Sequence, residues 1–409
     1  MHIDLQNPEL FRAGPPYEVY RYLRETDPVH WQEEANGPGY WALMRYEDIK
    51  RVELDAETFS NEPTVLISDE GTALGDDTRK HLIFSDAPHH TEHRQLLGKE
   101  IGLGRIRRAR EGMERLVDSI IDLVIEEGEA DLVADLSCKM ASFAIADLMG
   151  LDRAESLEMF HAAEILTRNI PLTEGIGLEA ATTIHEHATQ AWTERSANPR
   201  DDTLSRIAQS AIMGVPVDEF QFQLDYQLLV SAGSDTSRNV LSTGMITLFD
   251  HPEARRELLD DPALMPKALE EILRYNPPIM AMRRTATRDT EIGGKKVSRG
   301  QKVVMYYGAA NRDPEVFDKP DTFDIKRKVN PHLTFGGGRH HCLGAHLARL
   351  ELTTMFSAML QRMPDMEAAG PVDWPELGEP PMVSGPAGLR VKFTPGHPVV
   401  RSSVEPIFA

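Results

Sequence analysis

Cysteine is nearly missing from this sequence: two residues, Cys138 and Cys342, stand among 409. Two thiols so far apart make no disulfide framework, so each needs its own explanation. Positive charge is also scarce. Lys and Arg number 44 against 65 Asp and Glu, a formal charge of -21. Such a surface repels phosphate backbones and anionic lipids, which excludes nucleic acid as a partner. No apolar run approaches the ~18 residues of a membrane-spanning helix. The opening stretch MHIDLQNPELFRAG has neither the basic region nor the apolar core of a signal peptide. These absences point to a cytoplasmic protein without membrane contact. Repeats, low-complexity tracts and linkers are missing too, so residues 1–409 read as a single domain.

What is present is a hydrophobic fraction of 41%, enough for a core, distributed mostly at helical spacing. A helix is expected from about Pro15 to Arg24, followed by strands in VHWQEE and GYWALMRY. From about 86 to 275 helical periodicity dominates, as in MERLVDSIIDLVIEE, and a last helix follows Cys342 over 342–362. Strand-like segments fall mainly at about 29–60, 285–310 and 380–395. The expected class is mainly α (α+β), a large helical lobe with a small β-rich lobe. Cys138 lies in LSCKMASFAIADLMG and reads as a small buried core residue.

Cys342 sits in FGGGRHHCLGAHLARLE, Phe335 to Glu351, behind a glycine run and ahead of a helix. A thiolate is a strong axial ligand for haem iron. It stays deprotonated where a helix N-terminus and backbone N–H groups face the sulfur. Gly336, Gly338 and Gly344 permit that close backbone approach, and Phe335 would shield the sulfur from solvent. Zinc is an alternative because His332, His340, His341 and His346 surround the cysteine, although the paired short spacings of zinc sites are absent. A phosphate cradle is a third reading, without Walker spacing or a surrounding βαβ unit. On the loop alone haem thiolate leads and the others stay open.

The loop resembles the haem-binding signature of the cytochrome P450 family, with Phe335, Gly336, Gly338, His340, Cys342 and Gly344 at the matching positions. The resemblance implies the P450 fold, with haem b buried between a long distal helix and the helix starting at the cysteine loop, and Cys342 as axial iron ligand. Three further stretches fit it. In ALEEILRYNPP, Glu271 and Arg274 share a helix face, which alone reads as a solvated pair. By resemblance they join Arg327 in a buried structural cluster that braces the cysteine loop. In LLVSAGSDTSRNVLSTGMITLF, polar residues interrupt an apolar helix at a cost in stability. The family pattern there matches Ala232, Gly233, Asp235 and Thr236, which implies that Thr236 hydrogen-bonds dioxygen or water and Asp235 passes protons. In SDAPHHTEHRQLL, His90 and Arg94 lie four apart on one helix face. The resemblance makes them propionate partners together with Arg284 and His340, leaving His89, His93 and Arg283 outside the site.

The implied activity is that of a haem-thiolate monooxygenase taking O2 and two electrons from NAD(P)H through a soluble ferredoxin and its NAD(P)H-dependent reductase. It would hydroxylate, O-dealkylate or epoxidise a hydrophobic small molecule such as a terpenoid, steroid, fatty acyl or aromatic compound. A monomer is expected. Pocket segments carried over from the family are the loop before Ser85, the NIPLTEGIG turn between two lid helices, and Val230, Gly233, Ile279, Met280, Met282, Met382 and Val383. Arg107, Arg108, Arg110, Arg339 and Arg349 form an expected basic docking patch for the ferredoxin. Alternatives are a haem-thiolate peroxygenase or isomerase, and a non-catalytic haem sensor, which would not need the Asp235 and Thr236 pair.

Overall fold

The structure, a computed structural model, describes residues 3–69, 81–167, 175–375, 377, 382–400 and 406–408. Strands run β1 Val29–Gln32, β2 Tyr40–Leu43, β3 Phe59–Ser60, β4 Glu129–Asp131, β5 Ala211–Ile212, β6 Val215–Pro216, β7 Ala281–Ala286, β8 Thr290–Ile292, β9 Lys295–Val297, β10 Lys302–Tyr306, β11 Glu367–Ala368 and β12 Arg390–Lys392. Five of them form a sheet of order β1-β2-β10-β7-β3. Its β2–β10 pair is parallel and the other pairs are antiparallel. All of β10 is buried, as its central place between β2 and β7 requires, including Lys302, whose Nζ lies 3.0 Å from Glu34 and 2.8 Å from Asp69.

The β-rich part departs from expectation in two ways. β7 begins at Ala281, ahead of 285, because Ala281 and Met282 pair with Tyr306 and Met305 of β10. The strand expected within 380–395 is β12, and it joins β11 and β4 in a separate three-stranded sheet against the helical part.

Helices run α1 Tyr17–Thr26, α2 Tyr46–Leu54, α3 His89–Glu100, α4 Leu103–Arg108, α5 Arg110–Asp122, α6 Cys138–Met149, α7 Arg153–Thr167, α8 Gly175–Ala197, α9 Thr203–Ala208, α10 Glu219–Asp250, α11 Pro252–Asp260, α12 Met265–Tyr275, α13 Tyr307–Ala310 and α14 Ala345–Arg362. At 32 residues α10 spans roughly 48 Å at 1.5 Å per residue. Asp218 caps its start, its carboxylate accepting from the Gln221 N–H. The largest apolar core lies where α6, α7, α8, α12 and α14 pack around α10, with α5 against α14 and α6. Among the described residues no helix is long and apolar enough to cross a membrane.

α14 starts three residues after Cys342, with Gly344 as its N-cap, rather than at the cysteine. The Cys342 N–H donates to the Phe335 carbonyl at 2.8 Å, closing the loop on itself and keeping the cysteine out of the helix. Of the stretch NIPLTEGIG, Gly175, Ile176 and Gly177 open α8, and its residues 169–174 lie outside those described. Cys138 is half-buried rather than fully buried, 3.8 Å from the Ser142 hydroxyl on α6.

Candidate active site

A cavity of about 240 Å³ separates α10 from the cysteine loop. One helical face of α10 forms its roof: Leu229, Ala232, Gly233, Thr236, Ser237 and Val240 recur at intervals of three and four. Phe335, Gly336, Cys342, Leu343, Gly344 and Leu347 form the floor. Cys342 is open to this cavity, yet the surrounding protein encloses its sulfur. That burial pushes the thiol pKa up. The Gly344 N–H, the Arg94 and Arg349 guanidinium groups and the Ala345 N–H pull it back down, in that order. The donors expected at the helix start are therefore in place. Gly336 and Gly338 adopt φ of 63° and 61°, a conformation glycine enters without penalty. Gly344 has an ordinary φ of -84°, and its backbone approaches the sulfur closely enough for its N–H to face it.

One end of the cavity is cationic. His90, Arg94, Arg284 and His340 all line it. The His90 and His340 rings lie 3.9 Å apart between centroids. Burial first, then neighbouring positive charge, holds their imidazoles neutral, His90 down at about 4 and His340 at about 2. The Nε2 of His90 is buried without a hydrogen-bond partner. Arg94 donates to the His341 carbonyl at 2.5 Å, which ties α3 to the cysteine loop. Arg284 donates to its neighbour's carbonyl at 2.9 Å and stands 3.8 Å from Glu53. Strand alternation turns Arg283 to the other face, where it pairs with Asp69. His93 likewise lies elsewhere, 2.6 Å from Asp225 of α10, and His89 packs edge-on against it.

On the roof, the Thr236 hydroxyl faces the cavity and donates to the Ala232 carbonyl one turn back at 2.9 Å. Asp235 points away from the cavity. It accepts from Arg238 Nη2 at 2.6 Å and Nε at 3.1 Å, and Arg238 Nη1 reaches Glu164 of α7 at 2.9 Å. Asp235 and Arg238 together line a separate small cleft with Phe11, Trp374 and Gly385.

Residues 179–364 match the family model for cytochrome P450. The steroid C26-monooxygenase of Rhodococcus jostii is 33% identical over 379 residues, covering 90% of this chain and 80% of the relative. The linalool 8-monooxygenase of Pseudomonas putida is 30% identical over 379 residues, covering 89% and 93%. A solved cytochrome P450 of Mycobacterium marinum in complex with pseudoionone superposes with a TM-score of 0.85 at 30% identity, covering 92% of this chain and 94% of that one. The chain belongs to the cytochrome P450 family. It is a monooxygenase whose cofactor is haem b.

The cavity fits that group. A macrocycle needs an apolar slot, a soft axial donor and partners for two carboxylates. The slot lies between α10 and the loop, Cys342 opens into it, and the cationic end, with Arg94, Arg284 and the unpartnered His90 Nε2, offers donors suited to two carboxylates. The zinc alternative fails: among the described residues no three His, Cys, Asp or Glu side chains are grouped as a metal ion would require.

The charge cluster of the P450 sits beneath this loop. Glu271 meets Arg274 at 2.7 Å and Arg327 at 2.9 Å, with Glu271 and Arg274 fully buried. A residue not foreseen, Asn311, connects the cluster to the loop. Its carbonyl accepts from Arg274 at 2.8 Å, and its side chain binds the Leu333 N–H at 2.8 Å and the Thr334 hydroxyl at 2.9 Å. Arg349 is held by Glu270 at 2.7 Å and lies over the Phe335 ring at 4.4 Å.

Of the expected pocket residues, Gly233, Ile279 and Met282 line the cavity, and Leu82 and Ile83 represent the loop before Ser85. Val230, Met280, Met382 and Val383 are not among its walls. Val230 falls off the roof face of α10 into the helical core, and Met280 packs with Tyr20 and Tyr306. The Met382 carbonyl accepts from the Met280 N–H at 2.9 Å, and Val383 bridges to Ile279, so that segment backs the wall instead of forming it.

Glu351 of α14 lines the cavity unforeseen. Burial, only partly relieved by Ser237, pushes its pKa up to about 8 from 4.5. The folded protein holds this proton where the unfolded chain has lost it, so its contribution to stability is complete below about 4.5 and disappears as pH rises through about 8. Glu351→Gln is expected to flatten the fall in denaturation midpoint between pH 5 and pH 8; an unchanged slope would remove Glu351 as its source.

Proposed function

We propose that this P450, acting as one domain, hydroxylates an isoprenoid-type substrate, a terpenoid or steroid, with electrons from a soluble ferredoxin and its NAD(P)H-dependent reductase. The observation that carries the substrate class is the cavity wall away from the cationic end. It is aliphatic, built from Leu82, Ile83, Leu97, Ile101, Ile145, Leu148, Leu228 and Ile279 with Met282. Such a wall recognises branched hydrocarbon by shape and offers no partner for a charged group. The names of the relatives that act on a steroid and on linalool, and the neighbour that holds pseudoionone, support the same class.

Cys342 would hold the haem iron through its sulfur, and His90, Arg94, Arg284 and His340 would hold the propionates. The haem supplies dioxygen binding and oxygen insertion when bound. Thr236 offers a hydroxyl to the reacting end of the cavity. Asp235, one residue earlier and facing the opposite side, is placed to bring protons in when Arg238 swings aside. Ala232 and Gly233 keep the roof low over the cofactor. Arg107, Arg108, Arg110 and Arg339 are exposed and form the docking patch, whereas Arg349 is withdrawn from it by Glu270. We place the protein in the cytoplasm, where reduced nicotinamide and ferredoxin are available, as a monomer.

Turnover with a bacterial ferredoxin and reductase over a panel of acyclic terpene alcohols, steroids and fatty acids tests this reading. A terpenoid or steroid product one oxygen atom heavier is expected. In Thr236→Ala, haem content and substrate binding should persist while product per NAD(P)H falls several-fold and hydrogen peroxide accumulates. Turnover of fatty acids alone sinks the substrate class, and an unchanged product yield in Thr236→Ala sinks the role of the hydroxyl.

A further inference from the structure

The last turn of α2 reverses the ordinary burial of its residues: Glu53 is 5% exposed while Leu54, beside it, is 60% exposed. A glutamate in the interior and a leucine in water both oppose folding, so the position of Glu53 calls for a compensating role. Its carboxylate enters the cationic end of the cavity. Oε1 accepts from the Tyr307 hydroxyl of α13, Oε2 accepts from the Gly337 N–H of the cysteine loop, and Arg284 of β7 stands 3.8 Å away. The glycine run is shaped around this helix end. A Cβ on Gly336 would lie 3.1 Å from the Glu53 Oε2, and one on Gly338 would lie 2.3 Å from the Glu53 carbonyl oxygen.

We infer that Glu53 is a positioning residue for the haem: a buried carboxylate that shares Arg284 with a propionate, anchors the cysteine loop through Gly337, and keeps the iron's reduction potential low. The inference rests on Arg284 receiving a propionate. A fixed negative charge in a low-dielectric interior stabilises the ferric state, which carries one more positive charge than the ferrous state. The Tyr307 O–H and the Arg284 guanidinium disperse that charge without removing it. α2 thereby reaches the iron electrostatically from outside the family signature that marks the loop.

Redox titration of the haem-loaded protein tests this, with the ferrous–CO spectrum recorded alongside. Glu53→Gln keeps the shape and one acceptor but removes the charge, and its potential is expected to move positive with the CO band in place. Tyr307→Phe leaves the carboxylate with one donor fewer, and its potential is expected to move negative. A wild-type potential in Glu53→Gln overturns the inference. If Glu53→Gln retains no haem, Tyr307→Phe decides, and an unchanged or raised potential there overturns it. Arg284→Gln reports separately on the propionate reading: unaltered haem retention and potential in that variant would sink the reading itself, whereas an unmoved Glu53→Gln beside a perturbed Arg284→Gln sinks only the role of Glu53.

Discussion

Protein carrying Glu271→Ala is expected to accumulate without haem and to unfold at markedly lower urea. Glu271 accepts from Arg274 at 2.7 and 2.8 Å, from Arg327 at 2.9 Å, from Asn330 at 3.2 Å and from the Asp324 N–H at 2.9 Å. Truncation leaves two buried guanidinium groups without their anion, at a cost of roughly 3–5 kcal/mol. Against a total stability of about 5–15 kcal/mol, that loss alone can unfold the domain. The damage also has a direction. Arg274 holds the Asn311 carbonyl, and Asn311 holds Leu333 and Thr334 at the start of the cysteine loop. Release of Arg274 therefore loosens the segment that presents Cys342. The ratio of haem to protein, with a urea midpoint on the same sample, measures both effects. Full haem content in Glu271→Ala would show that the cluster does not brace the loop.

The second large effect is expected from a single methyl group, in Gly338→Ala. The residue has φ of 61°, and the added Cβ would lie 2.3 Å from the backbone oxygen of Glu53. Left-handed backbone costs a non-glycine residue about 1 kcal/mol or more. The overlap is with main chain, which has no rotamer to escape through, so α2 or the loop must move. A combined loss of roughly 3 kcal/mol or more is expected, with weakened haem retention. Gly344→Ala is the internal control. Its φ is -84° and the nearest atom to a new Cβ is the Cys342 sulfur at 4.0 Å, an ordinary contact. Thermal midpoints and ferrous–CO spectra of the two variants should separate widely, and equal behaviour would refute the assigned clash.

The features readable in the sequence were those in which one short segment carries both the residues and their geometry. The loop around Cys342 needs glycines at positive φ and a helix immediately after it, and both leave a local trace. Glu271 and Arg274 share one turn of α12, and Thr236 sits in a polar interruption of α10. Groups whose partners arrive from afar left no such trace. Glu53 meets Gly337 across 284 positions of chain, and Arg238 meets Glu164 across 74. Asn311 looks like one polar residue among many until its three partners are assembled around it. The cavity walls were hard to read for a different reason: whether Val230 or Leu229 faces the cavity depends on the phase of α10 and not on the composition of the stretch. The neighbouring cation at Arg238 was visible three residues after Asp235, but nothing in the sequence said that it would pair with the acid and reach on to Glu164.

The five-stranded sheet takes β1, β2 and β3 from the first sixty residues and β7 and β10 from 281–306. During synthesis the early strands therefore emerge long before their central partner exists. At roughly 5–20 residues per second, the wait is about 10–50 s, during which β2 offers an unpaired edge to any other chain. Much of the helical body can be assembled on the ribosome in that interval, the strand that carries Arg284 appears only towards its end, and Cys342 follows later. Cofactor capture therefore waits until Cys342 has been made, after the sheet has gained its central strand.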